Sequence, residues 1–256
     1  RSDIWVHQGL KSSSTDFVQA MSRPQSMHFT EPFAEKPARR VEAANLWTLA
    51  AIQLADDRRE EALPLLLRLY HANPLQVEQG YLVVDALYQT GHLQEALQLM
   101  RPLAVVFANN PVGQFMAGFV ALNQGNFDHA RKMFEQAEAN NPQFPILFYY
   151  LGQVYLLLDL PDNAIHAFNR FLELDPCLPH AYLGLSEALL RSKRFEEAAE
   201  AALSAVGARF SEPAMHLALG RAMAQLGEKD RAIEAYETAL RLAPNHDLAR
   251  NHLEWL

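Results

Sequence analysis

Four patterns in this chain have residue types that could do chemistry. Gly184-Leu185-Ser186-Glu187-Ala188 approaches the G-x-S-x-G turn that lifts a nucleophilic serine toward substrate. Its last residue is alanine rather than glycine and it lies mid-helix, so no nucleophile is assigned to Ser186. The adjacent acids Asp56-Asp57, Glu60-Glu61 and Glu196-Glu197 suggest a general acid beside a general base. Neighbours in sequence point to different sides of a helix, and these pairs fall at turns or helix starts, so they are read as solvated. The ten histidines and single cysteine, Cys177, show neither H-E-x-x-H nor the paired spacing of a zinc site. Arg191, Lys193 and Arg194 could hold an anion, but a wet turn is the expectation. With no P-loop, no G-x-G-x-x-G and no EF-hand loop, the sequence supplies no catalytic residue, no cofactor-binding residue and no metal site. The chain is expected not to be an enzyme.

Bulk properties narrow the classes further. Half of the 256 residues are hydrophobic and a fifth are charged, enough to bury a substantial core. A formal charge of −8 disfavours nucleic acid as a partner, because phosphate recognition needs an excess of Lys and Arg. The greasiest stretch, FPILFYYLGQVYLLL at 144–158, is shorter than the roughly 18 apolar residues of a membrane span, so the chain is read as soluble with no span. One cysteine makes no internal disulfide and leaves the compartment open; cytoplasmic is preferred to periplasmic. The chain opens on Arg1 rather than Met, so a fragment or processed chain is expected.

The elements that position these residues are set by a repeat. Pro111, Pro145, Pro179 and Pro213 stand 34 residues apart, and extending the frame gives windows 43–76, 77–110, 111–144, 145–178, 179–212 and 213–246. The twentieth place of the six windows is always alanine: Ala62, Ala96, Ala130, Ala164, Ala198 and Ala232. The eighth is small in five (Ala50, Gly118, Gly152, Ser186, Gly220), and the twenty-fourth is bulky in most (Leu66, Met100, Phe134, Phe168, Tyr236). Each window holds two helix-period stretches around a turn such as Gly91-His92, Gly125-Asn126 or Gly227-Glu228. Small residues let the two helices approach, proline at the first place suits a helix start, and acids such as Asp128, Asp162 and Asp230 favour the second helix's N-terminus. Such pairs must stack to cover their apolar faces.

Leu151-Gly152 with Tyr155, then Ala164 with Phe168, then Pro176 resembles the tetratricopeptide repeat (TPR) pattern, and the resemblance covers about four fifths of the chain. It implies an all-α fold: a right-handed superhelix, or α-solenoid, of six helix-turn-helix repeats over 43–246, with 247–256 starting a C-terminal capping helix. Residues 1–42 do not fit the frame and are expected to be a non-repeat arm or linker. Pro24, Pro32 and Pro37 favour an extended or irregular path from Ser22 to Arg40, and Phe29 and Phe33 could cover part of the repeats.

The resemblance also implies where a ligand sits, since first helices line the concave side and the second, fifth, ninth, twelfth and thirteenth places face it. Those places put Trp47, Tyr81, Asp85, Tyr88, Gln89, Phe115, Phe119 and Asn123 on the concave wall of the first three windows. Ile146, Tyr149, Gln153, Leu156 and Leu157 continue it in the fourth. The aromatic rings are expected to stay partly open as anchors, with Gln89, Asn123 and Gln153 bonding an extended backbone. Windows five and six turn more charged. The clamp by which some TPR proteins grip chaperone tails needs Lys, Asn and Arg where this chain has Trp47, Ala51, Leu82, Val112 and Met116, so heat-shock chaperone tails are disfavoured. The expected function is therefore a scaffold that binds a peptide or partner helix in an aromatic concave groove. Two alternatives are an accessory domain of a larger enzyme and self-association through the end repeats.

Overall fold

The computed structural model describes residues 37–56, 58–72 and 77–255, so the arm before residue 37, with Phe29 and Phe33, lies outside the described residues. The extended or irregular path expected as far as Arg40 does not reach it: a helix, α1, already runs Pro37–Ala55. Proline has no N–H to lose at the first position of a helix, so Pro37 starts one rather than preventing it. Twelve more helices follow, and among the described residues there is no strand: α2 Arg59–Ala72, α3 Val77–Gln89, α4 Leu93–Val106, α5 Pro111–Asn123, α6 Phe127–Asn140, α7 Pro145–Leu157, α8 Pro161–Leu174, α9 Pro179–Arg191, α10 Phe195–Ala208, α11 Pro213–Gln225, α12 Lys229–Leu242 and α13 Asp247–Glu254. No described helix is long and apolar enough to cross a membrane.

The described chain forms two compact units, residues 37–124 and 125–255. In the first, each helix from α1 to α5 packs on the next, and α3 also touches α5. In the second, each helix from α6 to α13 packs on the next, and α9 touches both α7 and α11. This is the all-α architecture of a helical-repeat array, with first helices side by side and second helices behind them.

The turn inside the second to sixth repeats is built the same way. Residues 91, 125, 159, 193 and 227 fall at one place of the frame, and all five have positive φ. Three are glycine, which adopts this left-handed conformation freely, whereas Asp159 (φ 56°) and Lys193 (φ 59°) hold it against the repulsion between Cβ and carbonyl oxygen. The conformation turns the following amide back onto the helix end. His92, Leu160, Arg194 and Glu228 donate to the carbonyls of Leu87, Tyr155, Leu189 and Met223 at 2.8–3.0 Å, the pattern that satisfies orphan carbonyls at a helix C-terminus.

Close helix approach explains the small residues. A β-carbon on Gly152 would stand 2.8 Å from the Phe168 ring, and one on Gly184 of the next repeat would stand 2.4 Å from it. Tyr236 bears on Gly220 in the same way. Ser186 fills the equivalent small place in α9 and donates its hydroxyl to the Ala198 carbonyl of α10 at 2.8 Å, so it is a buried packing residue.

Two stability outcomes are expected. Gly220→Val must displace the buried Tyr236 ring and should cost about 1–3 kcal/mol in urea denaturation. Lys193→Gly should do the opposite: removing about 1–2 kcal/mol of left-handed strain outweighs the roughly 0.5–1 kcal/mol of added chain entropy, so the midpoint rises.

Candidate functional site

In the first unit, the concave places hold an aromatic cluster rather than an open aromatic wall. Tyr81 of α3 meets Phe115 of α5 edge-on, with centroids 6.4 Å apart, and Tyr88 meets Phe119 at 5.5 Å and 88°. Phe115 and Phe119 pack on each other along α5 at 6.3 Å. Tyr81, Phe115 and Phe119 are consequently buried, which corrects the expectation of partial exposure. Only Tyr88 of this group stays half-buried, as does Trp47 on α1. The physical cause is the register: the fifth places of neighbouring repeats lie side by side, so large rings there satisfy one another at distances favourable for edge-to-face contact.

The polar groups of this unit are also inwardly engaged. Asp85 sits beside the rings, and burial pushes its carboxyl up to about 6 against the pull of the Arg59 charge and a hydrogen bond from Gln89. Burial, with the Asp85 charge, raises the Tyr81 phenol well above its ordinary value. Asn123 is exposed, but its amide donates to the Phe119 carbonyl of its own helix at 2.8 Å.

In the second unit, Tyr149 is buried because it packs on its own repeat's second helix. Its ring lies 6.2 Å from Phe168 and 5.9 Å from Phe171 of α8, and 5.4 Å from the adjacent Tyr150. Ile146, Gln153, Leu156 and Leu157 remain half-buried and form one stripe along α7, while Leu147, Phe148, Leu151, Val154 and Tyr155 are buried. Tyr155 also donates its hydroxyl to Glu135 of α6 at 3.1 Å, and burial followed by the Glu135 charge raises its pKa far above the tyrosine norm. The Gln153 amide has no partner among the described residues.

A polar ladder crosses the next repeats, and it was not among the predicted site residues. Glu187 of α9 accepts from Arg191 Nε at 2.9 Å and from Arg221 Nη1 of α11 at 2.5 Å. Arg191 reaches back to the Leu156 carbonyl at 2.7 Å, near the negative end of the α7 dipole, with Asp159 3.8 Å away. Burial disfavours the Glu187 charge, but the two guanidiniums outweigh it and hold the carboxyl below its usual range. The basic cluster thus divides: Arg194 pairs with Glu197 within its own helix start and Lys193 is exposed, while Arg191 turns toward its neighbours. The sequence signal was opposite charge at i, i+4 (Glu187, Arg191) and at one full repeat (Glu187, Arg221). Among the described residues, no three of His, Cys, Asp and Glu stand close enough to hold a metal ion.

The Asp85 carboxyl gives a pH-dependent test. Its folded-state pKa lies above the unfolded value of about 3.8, so its burial is tolerated when protonated and costs stability as pH rises through about 6. That shift corresponds to at most about 3 kcal/mol. Asp85→Asn should therefore raise the urea midpoint at pH 8, with the gain shrinking as pH falls from about 6 to about 4 and approaching zero below the unfolded value of 3.8. An equal difference at pH 8 and at about pH 4 would show that this carboxyl is not desolvated.

Known proteins share this arrangement. Tetratricopeptide repeat models match residues 115–176, 159–212 and 213–246. Human tetratricopeptide repeat protein 7A is 25% identical over 203 residues, which is 76% of this chain but 23% of that protein, so the chain spans under a quarter of that relative's length. Among solved structures, the Cut9–Hcn1 hetero-tetramer of the APC/C superposes with a TM-score of 0.70 at 18% identity, covering 83% of this chain and 42% of that one. YrrB, described as a TPR protein with an unusual peptide-binding site, gives 0.59 at 21% identity over 75% of this chain and 98% of its own. With the repeat models covering more than half of its residues, the chain belongs to the tetratricopeptide repeat family.

Proposed function

We propose that this chain is a protein-interaction module that holds an extended peptide or a partner helix against the first helices of its repeats. The observation that carries the reading is the stripe on α7. A helix apolar on every side buries most of its residues yet leaves Ile146, Gln153, Leu156 and Leu157 half-buried in a row at concave places, with the Gln153 amide unused. Packing the repeat does not require those side chains to stay accessible. An apolar strip with an amide donor and acceptor in its midst suits a peptide backbone flanked by apolar side chains. The neighbours support the same class: YrrB is described by its peptide-binding site and Cut9 by its assembly with Hcn1. No catalytic role is assigned to the chain.

Burial decides which substitutions test this. Tyr81, Phe115 and Tyr149 are poor handles because truncating a buried ring opens a cavity costing about 3–5 kcal/mol. Leu157→Asp and Gln153→Ala lie on the accessible stripe and should leave the thermal midpoint nearly unchanged. Peptides selected from a random displayed library on the wild-type chain should lose at least about tenfold in affinity to the Leu157→Asp variant. Undiminished binding of every selected peptide would remove the concave reading.

A further inference from the structure

The ninth place of successive repeats runs Gln153, Glu187, Arg221 and then Trp255, just past the end of α13. Trp255 is 88% exposed, and Leu248, seven residues before it on the same face of α13, is 55% exposed. Neighbouring positions of α13 are the packed ones: Ala249 is buried and His252 stacks on Tyr236 of α12, with centroids 5.4 Å apart and planes within 10°. Arg221 stands between this helix and the ladder. It bonds Glu187 on one side, and on the other its charge, after burial, helps to lower the His252 pKa and opposes the upward shift of Tyr236.

We propose that Arg221, supported by Arg191, is the anchor for an acidic side chain of a bound peptide, and that Trp255 and Leu248 take an apolar side chain of the same peptide. The proposal rests on the peptide-binding reading above and specifies its ligand. Two guanidiniums share one glutamate here. Arg221 commits a single N–H to Glu187, and Arg191 commits Nε to Glu187 and Nη1 to Leu156, so N–H groups of both are left over among the described residues. Glu187 holds Arg221 in place, so a planar fork is set out before a ligand arrives, the geometry that a carboxylate meets with two bonds.

Charge complementarity fixes the sign of the ligand. The chain carries a formal charge of −8, and acids open the second helices: Asp128, Asp162, Glu196, Glu197 and Asp230. The concave places of repeats five and six instead hold Arg191 and Arg221 with Glu187. In repeats five and six the first helices α9 and α11 hold two arginines against one glutamate, whereas α10 holds Glu196, Glu197 and Glu200 with no base and α12 is balanced, so an acidic side chain is favoured on the first-helix side. Spacing fixes the pattern. Neighbouring helices lie about 8–10 Å apart, and a polyproline II segment advances about 3.1 Å per residue and returns to the same face every three residues, so rungs one repeat apart are met by side chains three residues apart. The ligand is therefore an internal peptide segment with a Glu or Asp and a large apolar residue three positions apart. A side chain rather than a chain terminus is inferred because ninth-place rungs continue on both sides of Arg221.

The test uses fluorescein-labelled peptides, capped at both ends and taken from a random-library selection on the whole chain. The expected result is enrichment of an acid three residues from Leu, Phe or Trp. Affinity should fall about tenfold with Arg221→Gln and severalfold with Trp255→Ala, whose exposed ring cannot affect folding. Arg221→Lys should recover part of the loss, and replacing the peptide's Glu with Gln should make binding insensitive to Arg221→Gln. Peptides that lose binding with Leu157→Asp but not with Arg221→Gln would overturn this proposal while leaving the groove reading intact. Arg221-dependent binding only by peptides with a free C-terminal carboxylate would overturn the side-chain assignment. Absence of any binding peptide would overturn both.

Discussion

The second unit depends on how closely an aromatic ring from a second helix can sit beneath first helices that lack a side chain at the contact. Phe168 is the clearest case, since its ring fills the space that a β-carbon on Gly152 or on Gly184 would need. One residue thus sets the distance between the helices of its own repeat and the distance to the next repeat. Tyr236 does the same beneath Gly220, and Ser186 replaces a glycine by adding a hydrogen bond to Ala198. Close-packed interiors do not deform gradually, so these contacts fix the first helices side by side at constant offset. Every column of residues 34 apart is a consequence of that offset.

The same constraint explains why the aromatic wall is closed. Once first helices are held at a fixed distance, bulky residues at facing places become neighbours: Tyr81 meets Phe115 at the fifth place, Tyr88 of the twelfth place meets Phe119 of the ninth, and the four interlock within the first unit. Rings that read as ligand anchors in a single repeat are part of the core in two. Helix α7 shows the balance from the other side. It is apolar all round because it is packed on α6, α8 and α9, and only the stripe from Ile146 to Leu157 faces none of them fully.

Much of this was legible in the residues. The 34-residue frame placed the starts of α5, α7, α9 and α11 at their prolines, and Gly91, Gly125 and Gly227 announced their turns. The turns at Asp159 and Lys193 carried no such mark, because their conformation is imposed by the repeat rather than by the residue. Proline alone does not say whether it lies inside a helix, which it breaks, or at the first position, which it suits, and Pro37 is the second case. For the candidate site, the repeat frame assigns each residue to a side of its helix but not its burial, which depends on what the facing place of the next repeat carries. The ladder of Arg191, Glu187 and Arg221 is of that kind: the charge of repeats five and six is plain in the residues, but the Glu187–Arg221 rung joins groups one full repeat apart that only stacking brings together.

That comparison also separates what the fold needs from what it leaves free. The twentieth place is alanine in all six windows and every one is fully buried, so no other choice fits between the paired helices. The ninth place runs Ala51, Asp85, Phe119, Gln153, Glu187, Arg221 and Trp255, seven different residues on one recurring scaffold. A place the architecture required would repeat, as alanine does; a place that varies from small to acidic to aromatic to basic is answering to something other than the architecture. In the first unit the answer is internal, since Asp85 is desolvated and Phe119 is packed against Tyr88. In the second unit the column passes from Gln153, which is half-buried, to Trp255, which is almost wholly exposed, and none of its side chains belongs to the core. The functional information of this chain is concentrated where its repeats disagree.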